Sequence, residues 1–132
     1  EINNIISEFC NNKRFVFFDD TLTVDIILHA RYLITDWSGV AIEYAFATGN
    51  YVLYIDSPQK SVNKNGYRLG MEAFEASIRN KIGYIWDGKK KISEFDYKKD
   101  MKNIMTDNIF NISHSDKVAS DYINSLVKSK EE

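Results

Sequence analysis

Across 132 residues there is one cysteine, Cys10, one proline, Pro58, and two histidines, His29 and His114. A lone cysteine excludes an internal disulfide and a cysteine metal cluster, and it suits a reducing compartment. Cys10 itself reads as a small apolar residue buried on a helix face. No apolar run approaches the ~20 residues needed to cross a bilayer as a helix. The first ten residues, EINNIISEFC, have no basic n-region, so no secretory signal peptide is expected in them. A formal net charge of −2 gives no broad basic footprint for nucleic acid. Neither G-x-x-x-x-G-K-[ST] nor G-x-G-x-x-G occurs, which removes the phosphate-loop NTPases and the dinucleotide fingerprint. No group of acids and histidines has ligand spacing, so neither a metal nor a cofactor is expected.

What remains is an ordinary globular composition, 44% hydrophobic and 27% charged. Its length is that of one domain, able to bury roughly 68% of its unfolded surface. The chain opens without Met and in a helical pattern, Ile2, Ile5, Ile6 and Phe9, which suits a piece of something larger. Short strands and helices then alternate. Arg14 to Phe18 (RFVFF) reads as a strand, Val24 to Ala30 as a helix, Tyr32 to Thr35 as a strand and Val40 to Thr48 as a helix. Tyr51 to Ile55 is the next strand, Met71 to Asn80 a helix and Gly83 to Trp86 a weaker strand. Two amphipathic helices close the chain, Ile92 to about Thr106 and Asp116 to Lys128, the latter with Val118, Ala119, Tyr122 and Leu126 on one face.

This alternation predicts an α/β fold: a Rossmann-like parallel sheet flanked by helices, spanning residues 1–132 as a single domain. YLIT and YVLYI lack polar alternation, as strands buried on both faces do. In such sheets ligands bind at the carboxyl ends of the strands. Asp36-Trp37-Ser38-Gly39 is such an end, and it runs straight into a helix. The first amides of a helix have no intrahelical acceptor, and the helix dipole adds partial positive charge, so a helix start is a ready anion site. Ser38 can cap those amides or offer its hydroxyl to a phosphate oxygen. Gly39 costs a helix about 1 kcal/mol relative to Ala, which suggests close approach of a ligand to the backbone. A preferred N-cap serine followed by a tolerated turn glycine explains the same residues equally well.

Glu43 tips the balance toward a ligand. A capping box begun at Ser38 needs its acid at position 41, which is Ala. Glu43 stands instead four residues after Gly39, about 6 Å along the axis on the same face, and leans back toward the helix start. A carboxylate there repels phosphate but accepts hydrogen bonds from a pair of hydroxyls, which the ribose of a nucleoside diphosphate supplies. A solvated outer-face glutamate is the plainer reading, and the apolar neighbours Ile42, Tyr44, Ala45 and Phe46 weigh against it.

Thr35-Asp36-Trp37-Ser38-Gly39 with Glu43 resembles the TDYSS…D motif of the CDP-glycerol glycerophosphotransferases, which build teichoic-acid-like polymers. More distantly it resembles the TDSGG…E motif of the UDP-N-acetylglucosamine 2-epimerases. Both belong to the GT-B superfamily, whose C-terminal half holds the nucleotide. The likeness covers roughly Phe15 to Asp56 and weakens through Gly83. It implies that Ser38 and the amides of Gly39 and Val40 hold the donor diphosphate. Glu43 then holds the ribose or a donor hydroxyl, and Thr35, Asp36 and Trp37 support the motif. Trp37 stands where that family has Tyr. Gly39 stands where it has a second Ser, which removes one hydroxyl contact. The family's catalytic histidines lie upstream of the motif, and neither His29 nor His114 has a matching context. The resemblance therefore implies the donor-binding part of a GT-B enzyme, an incomplete C-terminal-type domain with no catalytic residue of its own and no metal. The acceptor polymer would be bound by the other half.

Further features are weighed beside this. Asp19-Asp20 ends a strand on the ligand side, although turn chemistry explains it better. Arg68, in the long loop after YVLYI, and Arg79 are candidate phosphate contacts, each more simply a surface arginine. His29 complements a helix C-terminus, and His114 is expected to be exposed. Lys89, Lys90 and Lys91 with Lys98, Lys99 and Lys102 form a basic run. Usually a solvated face, such a run also suits peripheral contact with the inner face of a cell membrane by a cytoplasmic enzyme. The strand that normally flanks the motif strand in a GT-B half is missing, so an open sheet edge, and with it a homo-oligomer or partner chain, is expected. D-W-S-G-V is not the G-x-S-x-G of a hydrolase elbow. Two alternatives stay open: a GT-B glycosyltransferase using a nucleotide sugar, and a non-catalytic nucleotide-binding or scaffold module.

Overall fold

Leu33-Ile34-Thr35 and Val52-Leu53-Tyr54-Ile55 are rich in β-branched and aromatic residues, and each is followed by a helix-forming segment. That order makes parallel pairing through crossover helices the natural outcome. The computed structural model, which describes residues 1–18, 24–59, 68, 70 and 72–128, has this arrangement. It divides into two compact units, Glu1–Ala30 and Arg31–Glu132.

The first unit holds helix α1 (Ile2–Phe9) and helix α2 (Val24–His29). Neither helix has a buried residue. The rings of Phe9 and Phe15 meet at 5.7 Å between centroids. Arg14 to Phe18 is not a strand. Residues 15–18 have no regular secondary structure, and Val16, Phe17 and Phe18 are exposed. Strand propensity alone does not make a strand; a ladder partner is needed, and none is present among the described residues. Cys10 is exposed at the C-cap of α1 rather than buried, on a helix none of whose residues is buried. Asp19 and Asp20 lie outside the described residues.

The second unit is built on strands β1 (Leu33–Thr35), β2 (Val52–Ile55) and β3 (Gly83–Trp86), all parallel and in the order β1-β2-β3. Leu33 pairs with Val52, and Val52 with Gly83. Helix α3 (Val40–Thr48) links β1 to β2, and helix α4 (Phe74–Ile82) leads into β3. Right-handed crossovers between neighbouring parallel strands put both helices on one face of the sheet, and α3 and α4 touch each other. The core sits there: Ala41, Tyr44 and Ala45 of α3, Val52 and Tyr54 of β2, and Ile78 and Ile82 of α4 are buried. Two glycines are required by this packing. Gly49 ends α3 in the left-handed region at φ 68°. A Cβ on Gly83 would strike the Val52 carbonyl oxygen and lie 2.5 Å from the Tyr54 ring.

The other face is half covered. The rings of Tyr51 and Tyr84 meet tilted at 4.5 Å, those of Tyr84 and Phe95 tilted at 5.5 Å, and Tyr32 meets Tyr97 edge-on at 6.1 Å. These aromatics are held by the segment after β3, which runs antiparallel past residue 50 through the Asn50–Lys98 bridge and the Tyr51 N–H to Tyr97 carbonyl bond of 2.9 Å. Beyond them Ile34 and Ile55 are exposed, so the strands are not buried on both faces along their whole length. The helix expected over 92–106 is likewise absent. A 3-10 turn at Ile92–Glu94 and helix α5 (Lys102–Asn108) flank an extended stretch. The alternation Phe95, Tyr97 serves the sheet's aromatic cluster, and tertiary contact overrides helix propensity. Helix α6 (Ser115–Lys128) forms as expected, and Val118, Tyr122 and Leu126 are exposed. Among the described residues no strand pairs with the outer edge of β1 or of β3, and no helix is long and apolar enough to cross a membrane.

Candidate functional site

β1 ends at Thr35, and the chain turns through Asp36-Trp37-Ser38-Gly39 into α3 at the carboxyl end of the sheet. Ser38 and Gly39 are exposed. The N-cap residue is Gly39, which has no side chain to cap the helix with. The first helical amide with a partner is that of Ala41, donating to the Ser38 carbonyl at 3.2 Å. The amides of Ser38, Gly39 and Val40 therefore lack an intrahelical acceptor, as the first amides of any helix do. Gly39 is already helical, φ −59° and ψ −29°. A Cβ there would meet nothing within 4 Å. Neither backbone conformation nor crowding within the chain thus requires a glycine at this position.

Glu43 is exposed, one turn along α3 from Gly39, and its amide reaches back to the Gly39 carbonyl at 3.5 Å. Ala47 is exposed one turn further on. The buried side of α3 is Ala41, Tyr44 and Ala45. The chain therefore presents Ser38, Gly39 and Glu43 together on one solvent-facing stripe. The apolar neighbours that argued against an outer-face glutamate lie on the core side or between the two. Such a stripe offers three amides without an intrahelical acceptor and a hydroxyl at its start, and a carboxylate acceptor one turn away.

The turn is held from behind. The indole N–H of Trp37 donates to the Ser57 carbonyl at 2.9 Å, tying the turn to the segment after β2. Arg79 of α4 is buried, 5% exposed, and is no surface arginine. Its Nη1 donates to the Asp36 carbonyl and its Nη2 to the Ile55 carbonyl, each at 3.2 Å. Its guanidinium lies 4.1 Å from the Trp37 ring centroid and 4.0 Å from that of Tyr54. Burial pushes the Tyr54 phenol up to about 12 against the opposing pull of the Arg79 charge. The sequence offers Arg79 as a possible phosphate contact or, more simply, a surface arginine; its Nη1 and Nη2 are turned to the strand ends. The signal that could have found this was its spacing to Ile78 and Ile82, which places it beside the buried face of α4.

Arg68 is exposed in the connection between β2 and α4, whose Gly66-Tyr67 portion lies outside the described residues. His29 Nδ1 lies 2.8 Å from the Asp25 carbonyl in the last turn of α2, and His114 is exposed with Nδ1 2.8 Å from the Ile112 carbonyl. Two of the cavities among the described residues bear on this arrangement. One of about 290 Å³ lies at the carboxyl ends of β2 and β3, between Ile55, Asp56, Trp86, Asp87 and Gly88. A larger groove of about 760 Å³ lies at the opposite end of α3, walled by Phe46, Met101, Met105, Ile109 and Phe110. Its walls are mainly apolar, with Lys99, Asp100, Lys102 and His114 also lining it, and it does not include the turn.

Compared with known protein families, with curated proteins and with solved structures, the chain matches none.

Proposed function

We propose that this chain is the donor-binding part of a transferase, one that moves glycerol phosphate or a related polyol or sugar phosphate from a CDP-activated donor to a cell-surface polymer. The observation that supports it is the exposed stripe Ser38-Gly39-Glu43 at the carboxyl end of a parallel sheet, where open backbone amides stand one turn from a carboxylate. The amides of Gly39 and Val40 and the Ser38 hydroxyl receive the diphosphate, where the helix dipole favours negative charge. Glu43 accepts hydrogen bonds from ribose or donor hydroxyls. The open space beside Gly39 lets a diphosphate oxygen approach the backbone. The fold in this reading is the C-terminal-type half of a GT-B enzyme.

In the transfer, an acceptor hydroxyl oxygen forms a bond to the phosphorus that carries glycerol. The anhydride bond to the cytidine phosphate breaks, and CMP leaves with that electron pair. The hydroxyl proton passes to a base supplied from outside the residues assigned here. Amides at a helix start favour this step by holding the charge that builds on the departing phosphate. The reaction is placed at the inner face of the cell membrane, where Lys89, Lys90 and Lys91 supply attraction to anionic headgroups. The ~760 Å³ groove, with its Met and Phe walls, suits an apolar occupant better than a nucleoside diphosphate.

Calorimetric titration with CDP-glycerol, CMP and UDP-N-acetylglucosamine tests the reading. Binding of CDP-glycerol that weakens at least tenfold in Glu43→Gln and in Ser38→Ala supports it. A preference for the uridine donor reassigns the chain to the sugar transferases. Equal or absent responses in wild type and both variants reduce the turn to a helix start in a scaffold.

A further inference from the structure

We propose that Arg79 is the positioning residue of the Asp36-Trp37-Ser38-Gly39 turn, acting through the backbone and the Trp37 ring without touching a ligand. Its relevance to a donor rests on the proposed function; its action on the turn does not. The guanidinium is a planar fork of five N–H donors. Here two arms go to carbonyls that belong to different strands, Asp36 just past β1 and Ile55 at the end of β2. Both carbonyls sit where the sheet's own hydrogen bonding ends, so the fork closes the carboxyl edge of the β1–β2 pair. Its central carbon lies over the rings of Trp37 and Tyr54, 4.1 and 4.0 Å from their centroids. Trp37 is thereby fixed twice, by Arg79 against its ring and by Ser57 on its indole N–H. With Asp36 and Trp37 both held, Ser38 and Gly39 follow at a set angle into α3.

The charge matters as well as the fork. A buried cation is expensive unless paired. Among the described residues the guanidinium meets carbonyl dipoles and ring faces but no carboxylate. Its positive field lies directly behind a turn flanked by the acids Asp36 and Glu43. Lysine keeps the charge but is a point donor on a flexible stem, so it cannot bridge both carbonyls or stack on two rings.

The test is NMR of the ligand-free chain, comparing wild type with Arg79→Lys. The expected result is an intact core, with Leu53 and Tyr84 amides unmoved. The Trp37 indole proton then exchanges at least tenfold faster, and the Ser38, Gly39 and Val40 amides shift. An intact core with those four signals at their wild-type values overturns the proposal. Should the variant not fold, the wild-type protein still decides. Its Arg79 guanidinium protons are expected to exchange at least tenfold more slowly than those of Arg14, and equal rates overturn the proposal. Pyrophosphate is then added to wild type. Movement of the Arg79 guanidinium signals larger than that of the three turn amides makes Arg79 a ligand contact and overturns it too. If pyrophosphate and CDP-glycerol move nothing, the donor reading falls, while the ligand-free comparison still decides the role of Arg79.

Discussion

Trp37 reaches across from the turn after β1 to hydrogen-bond the Ser57 carbonyl after β2, at 2.9 Å. This one bond joins two loops that are neighbours only because β1 and β2 pair in parallel. Phe at position 37 keeps a ring face for Arg79 but deletes the donor. Trp37→Phe is expected to cost about 1–3 kcal/mol, the hydrogen bond together with the lost ring volume. Denaturant unfolding followed by far-UV circular dichroism measures it, and a cost below a few tenths would mean that the bond is idle in solution.

The hydroxyl of Ser57 is buried and has no hydrogen-bond partner among the described residues. An unsatisfied buried hydroxyl opposes folding. Ser57→Ala is therefore expected to leave stability unchanged or raise it by up to about 1 kcal/mol, with the Trp37 bond intact because it uses the backbone carbonyl. The same unfolding experiment reads the outcome. A loss of stability would mean that the hydroxyl has a partner in solution.

Gly39 and Gly83 make a paired test of why glycines stand where they do. Gly83→Ala places a methyl against the Val52 carbonyl and the Tyr54 ring, so a loss of at least about 1–3 kcal/mol, or failure to fold, is expected. Gly39→Ala meets open space in a helical conformation, so its effect on folding is expected to stay within about 1 kcal/mol. If it nonetheless weakens CDP-glycerol binding, the glycine serves the ligand rather than the fold. Comparing melting temperature with affinity for the two variants separates these roles.

Alkaline pH probes the packing around Arg79. Tyr54 titrates at about 12 in the folded chain, raised from 10.0 by burial. Below the unfolded value both states keep the proton, and Tyr54 adds no pH dependence. Between the two values the unfolded chain loses its proton first, so folding stability falls as pH rises. The slope is about 1.4 kcal/mol per pH unit from this residue. Tyr54→Phe is expected to flatten the loss above pH 10, measured by urea unfolding across that range. An unchanged slope would show that Tyr54 ionises normally in the folded chain.

The strand–turn–helix order was legible because local rules and tertiary contacts agree there. Val40 to Thr48 and Gly83 to Trp86 form as the pattern predicts, and Gly49 closes α3 in the left-handed region. The misreadings have one cause, namely that partners across space are invisible in a one-dimensional pattern. RFVFF has strand residues and no ladder partner among the described residues. Ile92 to about Thr106 reads as one amphipathic helix, yet Phe95 and Tyr97 are drawn onto the sheet face by Tyr84 and Tyr32. At the site, Ser38, Gly39 and Glu43 could be placed together from helix periodicity alone. Helix periodicity also puts Arg79 beside the buried face of α4, but not its carbonyl partners, which depend on where α4 meets the ends of β1 and β2.

The central claim is that the start of α3 receives a nucleoside diphosphate donor, and amide NMR during titration with CDP-glycerol tests it most directly. Shifts that saturate are expected at the Ser38, Gly39 and Val40 amides and beside Glu43, with those at Glu43 lost in Glu43→Gln. Shifts confined to the groove around Met101 and Met105, or none at millimolar donor, would contradict it.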